Sequence, residues 1–114
     1  MAVNVRAASE LRALRSSLGL SRESFSRALD VSTRSIERWE AKGTRTEDPE
    51  TMRRAGVLAE IAQLAAEVYG SDVGTFMLTP RRSLGMRTPK EAIVRGDLEA
   101  VREVLVGTLE GHWA

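Results

Sequence analysis

The sequence contains no cysteine and a single histidine, His112, and both scarcities restrict the chemistry open to it. Without cysteine the chain has neither disulfides nor thiolate metal sites, which fits a cytoplasmic protein. One histidine provides too few ligands of the usual type for a metal site and leaves little basis for a Ser-His-acid triad. No glycine-rich loop follows a strand pattern. We therefore expect a protein that is not an enzyme and that holds no metal.

Long apolar runs are also missing. None approaches the ~20 residues needed to cross a bilayer. The first five residues lack the basic leader and apolar core of a secretory signal. Hydrophobic residues still make up 42% and charged residues 29% of the 114 residues, which is the composition of a packed soluble fold. This length allows one domain, or two small ones that share a core.

Charge is distributed unevenly along the chain. Residues 1–46 hold nine Arg/Lys and five Asp/Glu, whereas residues 47–114 hold eight Arg/Lys and eleven Asp/Glu. A basic front half suits a polyanion such as nucleic acid, and the acidic back half does not. Charge alone leaves two interpretations open, DNA binding and a chance imbalance.

Helical spacing dominates, and no segment alternates apolar and polar residues as a half-buried strand does. Caps and glycines predict helices at about 8–18, 21–29, 32–42, 48–69, 72–78, 88–96 and 97–109, with a short polar connection from Thr44 to Asp48. The last helix is capped by Asp97 and has an apolar face of Leu98, Val101, Val104, Leu105 and Leu109. We predict an all-α fold: an amino-terminal helix-turn-helix (1–46), a long central helix (47–70) and a small helical domain (71–114).

The two helices between Leu20 and Glu40 are joined by a tight turn. Ala28 suits the small contact between them, and Val31 and Ile36 are apolar plugs that fix the crossing. Asp30 stands at the bend, where aspartate is one of the few residues other than glycine that tolerates a left-handed backbone. This geometry exposes the start of the second of these helices, so that its first turn can enter a major groove.

Residues 9–43 resemble the Xre-type helix-turn-helix of phage repressors and many bacterial regulators, through the Leu-Ser-Arg opening at 20–22, the Val-Ser turn at 31–32 and the Arg-Trp-Glu ending at 38–40. The segment departs from the family at Asp30, where glycine is frequent. Carried over by position, the resemblance implies that base edges are contacted by Thr33, Arg34 and Arg38. It implies that phosphates are contacted by Ser21, Arg22 and Ser32. The alternative is that these side chains are solvated caps on a three-helix bundle, and Trp39 is expected in the core.

Residues 78–106 carry a second pattern, in which Leu84-Gly85-Met86-Arg87-Thr88-Pro89 is followed by a Gly96-Asp97 break. This pattern resembles the carboxy-terminal domain of the Xre/MbcA/ParS antitoxins over about residues 70–110. The resemblance implies a RES-domain toxin as partner. Such toxins consume NAD, and the antitoxin covers the entrance to their active site and represses its own operon through the helix-turn-helix. NAD then belongs to the toxin, and this chain needs no cofactor.

Candidate toxin contacts lie in a basic loop and in the tail. The loop residues Arg81, Arg82, Arg87 and Lys90 either meet acidic groups or the phosphate site for NAD, or form an ordinary solvated loop. For Arg87 there is a further alternative, in which its side chain donates hydrogen bonds to nearby backbone carbonyls. His112 and Trp113 end the chain, and Trp113 has no apolar periodicity to bury it. It is therefore a partner anchor, a residue of a frayed terminus, or a side chain folded back on its own domain.

The sequence as a whole predicts a cytoplasmic type II antitoxin that binds operator DNA and a RES-domain toxin. Because specific operators usually present two half-sites, we also expect a homodimer, and a higher-order complex with the toxin. The long fourth helix either supplies the subunit contact or is a central core helix. The alternatives are a stand-alone helix-turn-helix transcriptional repressor without a toxin, and a protein-interaction module that no longer binds DNA.

Overall fold

The computed structural model describes residues 4–6, 8–46 and 48–111, and confirms the all-α prediction. Its helices are α1 (Ala8–Ser17), α2 (Arg22–Leu29), α3 (Thr33–Lys42), α4 (Pro49–Tyr69), α5 (Val73–Met77), α6 (Pro89–Val94) and α7 (Leu98–Leu109). Two 3-10 turns, Gly70–Asp72 and Arg82–Leu84, precede α5 and α6. The strands β1 (Asn4–Arg6) and β2 (Thr44–Thr46) are the remaining elements of the described ranges.

The starts of four helices follow the capping residues in the sequence. Ser21, Ser32, Asp48 and Thr88 each accept a hydrogen bond from the backbone N–H three residues later. Thr88 and Glu91 complete a reciprocal capping box. Asp97 differs from the prediction, because its side chain makes no cap bond to α7 and instead accepts from Arg87.

The turn between α2 and α3 is built on Asp30, whose backbone is left-handed at φ 58° and ψ 48°. The N–H of Asp30 donates to the carbonyl of Arg27, and the N–H of Val31 donates to that of Ser26. This hydrogen-bond pair is a Schellman motif, which usually places glycine at the left-handed position. The departure from the Xre pattern at Asp30 is therefore accommodated by the turn, at some conformational cost.

We expect Asp30→Gly to raise the free energy of unfolding by about 0.5–1 kcal/mol, because glycine enters the left-handed region without a Cβ penalty. The midpoint of urea unfolding measures this change. Asp30→Ala is the control and should shift the midpoint in the opposite direction. A lower midpoint for the glycine variant would contradict the assigned strain.

The core runs through both halves of the chain as one continuous cluster, from Leu11 to Leu105. Helix α4 lies at its centre, packs along α7, and also contacts α1 and α2. Its inward residues Leu58, Ile61 and Ala65 are fully buried, as a helix contacted on several sides requires.

This packing tests two predictions about burial, one for Trp39 and one for Leu109. Trp39 packs half-buried against the core, as predicted. Leu109 was expected on the apolar face of α7 but is 52% exposed. It is the last residue of the helix, one turn beyond Leu105, where none of the described elements covers it.

The connection after α3 contains a short strand that the sequence did not indicate. Asn4, Val5 and Arg6 pair antiparallel with Thr46, Arg45 and Thr44. Strands of three residues are too short to show an alternating pattern. The backbone pairing joins the amino-terminal segment to the link between α3 and α4.

Candidate DNA-binding and partner-binding surfaces

The outer face of α3 carries two arginines one helical turn apart, Arg34 and Arg38. Both are exposed, and neither has a hydrogen bond or ion pair with any residue in the described ranges. Their guanidinium groups are therefore available to an anionic partner. Bidentate arginine contacts to guanine and contacts to phosphate both need such free groups.

The predicted hydroxyl contacts are engaged within the chain. Ser21 Oγ accepts from the N–H of Ser24 at 3.0 Å, and Ser32 Oγ accepts from the N–H of Ser35 at 3.0 Å. Thr33 is half-buried, with its Oγ1 3.4 Å from the Oγ of Ser26. These contacts fix the starts of α2 and α3, and the predicted roles of the three residues in DNA binding stay predictions.

Arg22, the predicted phosphate contact, binds a buried carboxylate. Its Nε donates to Glu40 Oε1 at 3.0 Å, and its side chain remains 51% exposed. Arg15 approaches the same carboxylate, with Nε 2.6 Å from Oε2. Glu40 itself is 3% exposed, so this single carboxylate joins α1, α2 and α3.

Glu40 and Arg15 received no role from the sequence. The hydrogen bond from Arg15 lowers the pKa of Glu40 below its usual range, burial raises it, and the bond from Arg22 lowers it further. Glu40 is therefore an anion at neutral pH. A signal was present, because Glu40 lies one helical turn after buried Ile36, and an acid on an apolar stripe needs a cationic partner.

Arg81, a predicted toxin contact, lies against two stacked aromatic rings. The ring centroids of Tyr69 and Phe76 are 4.6 Å apart. The Cζ of Arg81 is 5.1 Å from the centroid of Phe76 and 5.9 Å from that of Tyr69, within the range of cation–π attraction. Arg81 also donates to the Tyr69 hydroxyl. The side chain thus attaches the loop to α4 and α5.

Arg87 is engaged locally as well. Its Nε donates to the carbonyl of Leu84 at 2.9 Å, and one terminal nitrogen donates to Asp97 Oδ2 at 2.6 Å. The structure therefore shows the local-carbonyl alternative, and the Asp97 contact ties the Arg-Thr-Pro string to the Gly-Asp break. Arg82 is exposed and Lys90 half-buried, and among the described residues neither has a side-chain partner.

The folded chain is similar to a solved antitoxin complex. The match is to one chain of the crystal structure of the M. tuberculosis MbcT-MbcA toxin-antitoxin complex, with a TM-score of 0.68 and 28% sequence identity, over 94% of this chain and 96% of that chain. This chain is MbcA-like. The resemblance that the sequence showed to MbcA antitoxins is confirmed at the level of the whole fold. No protein-family model and no curated protein sequence matches the chain.

In this MbcA-like chain, two of the predicted toxin-binding residues meet at a cavity of about 310 Å³ beside α6. It is lined by Arg87, Lys90, Glu91, Val94 and Arg95. Arg81 lines a different cavity of about 400 Å³, together with Tyr69 and Phe76. Arg81 therefore lines a different cavity from Arg87 and Lys90. The sequence analysis did not select Arg95, because this residue directly follows α6 and belongs to no motif.

Two residues of the predicted partner site, His112 and Trp113, lie outside the described residues, so their contact with a toxin stays a prediction. Over the ranges that are described, no group of three or more His, Asp or Glu residues is placed to hold a metal ion. None of the helices there is both long and apolar enough to span a membrane.

Proposed function

We propose that this chain is the antitoxin of a type II toxin–antitoxin pair, that it neutralises a RES-domain, NAD-consuming toxin by covering the active site, and that it represses its own operon by binding DNA. The supporting observation is its similarity, over 94% of its length, to a chain of the MbcT-MbcA toxin-antitoxin complex. That similarity spans both the α2–α3 pair and the α5–α7 region. One chain would then serve two partners through two parts of a shared core.

The DNA-binding part of the proposal is supported by the α3 surface. Arg34 and Arg38 are exposed and without partners in the described part of the chain. We propose that they read base edges beside Thr33, with Ser21, Arg22 and Ser32 at the phosphates. One chain offers one such helix, so the active form is proposed to be a cytoplasmic homodimer on two half-sites, within a larger complex with the toxin.

The experiment for the antitoxin role is co-expression with a RES-domain toxin, taken from the genes next to that of this chain if one of them encodes such a protein. We expect growth and cellular NAD to recover, and the two proteins to co-purify. NAD loss that continues at the same rate with excess antitoxin would refute this role. Operator binding without any toxin partner would instead favour the stand-alone repressor.

We expect Arg34→Ala and Arg38→Ala each to weaken operator binding by about 1–3 kcal/mol and to relax base preference, because each removes a group placed for base readout. Gel shifts at fixed salt measure the change. Arg22→Ala should weaken binding evenly across sequences and reduce the salt slope by about one unit. Arg102→Ala, on α7 and paired with Glu60, is the control. Unchanged affinity for both α3 variants would exclude α3 from DNA recognition.

A further inference from the structure

Arg12, on α1, has no predicted role from the sequence, yet it contacts the same residue as Arg22. One terminal nitrogen of Arg12 donates to the backbone carbonyl of Glu40. The Nε of Arg22 donates to the side chain of Glu40 at 3.0 Å. Because both arginines contact one buried residue, their guanidinium groups are held near each other where α1, α2 and α3 meet. We call Arg12 and Arg22 the arginine pair.

The carboxylate of Glu40 is already matched by a third arginine. Arg15 binds it through two nitrogens, with Nε 2.6 Å from Oε2 and Nη2 3.1 Å from Oε1. Contact through two nitrogens is a strong geometry for an arginine–carboxylate pair. Three guanidinium groups thus contact Glu40, which has one carboxylate, so two positive charges are in excess. That excess belongs to the arginine pair.

The arginine pair also has hydrogen-bond donors that are not used within the described part of the chain. Arg12 is exposed, and the side chain of Arg22 is 51% exposed. Each is anchored to Glu40 through one nitrogen, and neither has a further partner among the described residues. Glu23, the acid next to Arg22, pairs with Arg27 instead. Each guanidinium group therefore keeps two nitrogens for an external anion.

The surroundings favour a phosphate of DNA over a protein as that anion. The large hydrophobic side chains that are exposed in the described ranges all follow α4, and none is on α1, α2 or α3. A protein interface usually has an apolar centre, whereas a phosphate backbone needs only donors and positive charge. Arg22 is also the first residue of α2, and the N-terminus of a helix attracts anions.

We infer that the arginine pair binds phosphates of the DNA backbone, an inference that rests on the proposed DNA-binding function. Arg12 is then a phosphate contact from α1, a helix outside the α2–α3 pair. Glu40 is the positioning residue. It belongs to α3, so it holds both guanidinium groups in a fixed relation to the helix that carries Arg34 and Arg38. Phosphate contacts fixed in this way set the register of α3 on the duplex without reading its sequence.

The test is the affinity of the full chain for duplex DNA as salt rises from about 50 to 200 mM, where phosphate contacts weaken steeply. Fluorescence anisotropy measures it with the DNA upstream of the gene and with an unrelated duplex of equal length. We expect Arg12→Ala to bind both duplexes about tenfold more weakly at low salt, which is the loss of one charged hydrogen bond. The slope of log affinity against log salt should fall by about 0.9, and by about twice that when Arg22→Ala is added.

The matched control is Arg53→Ala. It also removes an arginine that is about half exposed, but one whose nitrogens already contact Glu50 and Glu99 on α4 and α7. We expect its affinity and its salt slope to equal those of the unmodified chain.

Glu40→Gln separates positioning from charge. The substitution removes a negative charge, so that charge alone would strengthen binding to DNA. Positioning predicts the opposite, with weaker binding and a smaller slope, because Arg22 loses the carboxylate that orients it. Urea unfolding of the same sample gives the folded fraction, by which the affinity is corrected. Stronger binding would overturn the role of Glu40, and Arg12→Ala tests the phosphate contact whether or not Glu40→Gln folds.

The outcomes for Arg12→Ala distinguish its possible roles. An unchanged affinity and slope would overturn the inference and leave Arg12 as a cap on the carbonyl of Glu40, with Arg34 and Arg38 still proposed to bind DNA. Weaker binding to the upstream DNA alone would make Arg12 a base contact and overturn the inference as well. An unmodified chain that binds neither duplex would refute the proposed DNA-binding function itself.

Discussion

Replacing Glu40 with alanine is expected to lower the free energy of unfolding by about 3 kcal/mol, because it leaves two arginines at a buried site without their carboxylate. We place the loss at the lower end of the range for broken buried pairs for two reasons. Arg22 is 51% exposed and can turn to water. Arg15 keeps a bond to the carbonyl of Leu20, at 3.2 Å. Urea unfolding followed by circular dichroism measures the change.

The matched control is Glu23→Ala, which removes an acid of the same kind from an ion pair with Arg27. Both of those side chains are more than 60% exposed, at 63% and 71%, so we expect a loss of no more than about 0.5 kcal/mol. Equal losses in the two variants would show that the buried Glu40 cluster contributes no more to stability than an exposed ion pair. Glu40 joins α3 to α1 and α2, so its loss should also leave α3 less firmly held against these helices. We expect operator binding to weaken as a result.

The Glu40 carboxylate also predicts the direction in which the stability of the fold changes with pH. The pKa of Glu40 is lowered in the folded chain, chiefly by the hydrogen bond from Arg15. A group with a lowered pKa stabilises the fold above its unfolded pKa and loses that contribution as pH falls through the folded value. Stability should therefore fall below about pH 4.3, the ordinary value for glutamate. Other acids titrate there too, so Glu40→Gln should make the fall shallower without removing it.

Gly96→Ala is expected to destabilise the chain by about 2 kcal/mol, for two reasons that act together. The φ of Gly96 is +88°, a conformation that L side chains rarely adopt. A Cβ there would also lie 3.1 Å from a terminal nitrogen of Arg54. That nitrogen donates to the carbonyl of Ala28 at 3.2 Å, so the substitution strains a contact between α4 and the end of α2.

Two other glycines separate these causes. Gly85 has φ +67° with open space around it, so Gly85→Ala should cost only about 1 kcal/mol. Gly56 lies inside α4 with no atom within 4 Å of an added Cβ, so Gly56→Ala should stabilise by about 0.5–1 kcal/mol. Chemical denaturation of the three variants measures the change in the free energy of unfolding for each and so gives their order. Equal costs at Gly96 and Gly85 would show that the Arg54 contact contributes nothing.

Arg54 also matters for the relation between the two proposed surfaces. Its guanidinium contacts the carbonyl of Ala28, near the end of α2 in the proposed DNA-binding pair, and lies close to Gly96, at the corner after α6. Helix α2 packs against α6 in the same region. The two surfaces are therefore parts of one packed body, and the proposed division at residues 46 and 70 is a division of roles along a shared core.

The sequence by itself determined the helices and their limits, because caps, proline at the first helical position and left-handed C-terminal residues act within a few bonds of the residue concerned. Ser32, Asp48 and Thr88 begin helices where predicted, and Asp30 adopts the backbone expected of it. The resemblance to MbcA antitoxins was likewise readable from local strings such as Leu84 to Pro89 and Gly96-Asp97.

Only the tertiary structure decided which charged side chains are engaged within the chain. Arg22, Arg81 and Arg87 bind partners on distant elements. Arg34 and Arg82 look the same in the sequence, yet they face solvent. Those partners, Glu40, Tyr69 and Asp97, lie 10 or more residues away along the chain, so no local pattern reports them. Long-range packing sets burial, and burial decides whether an ionic side chain holds the fold together or remains available to a partner.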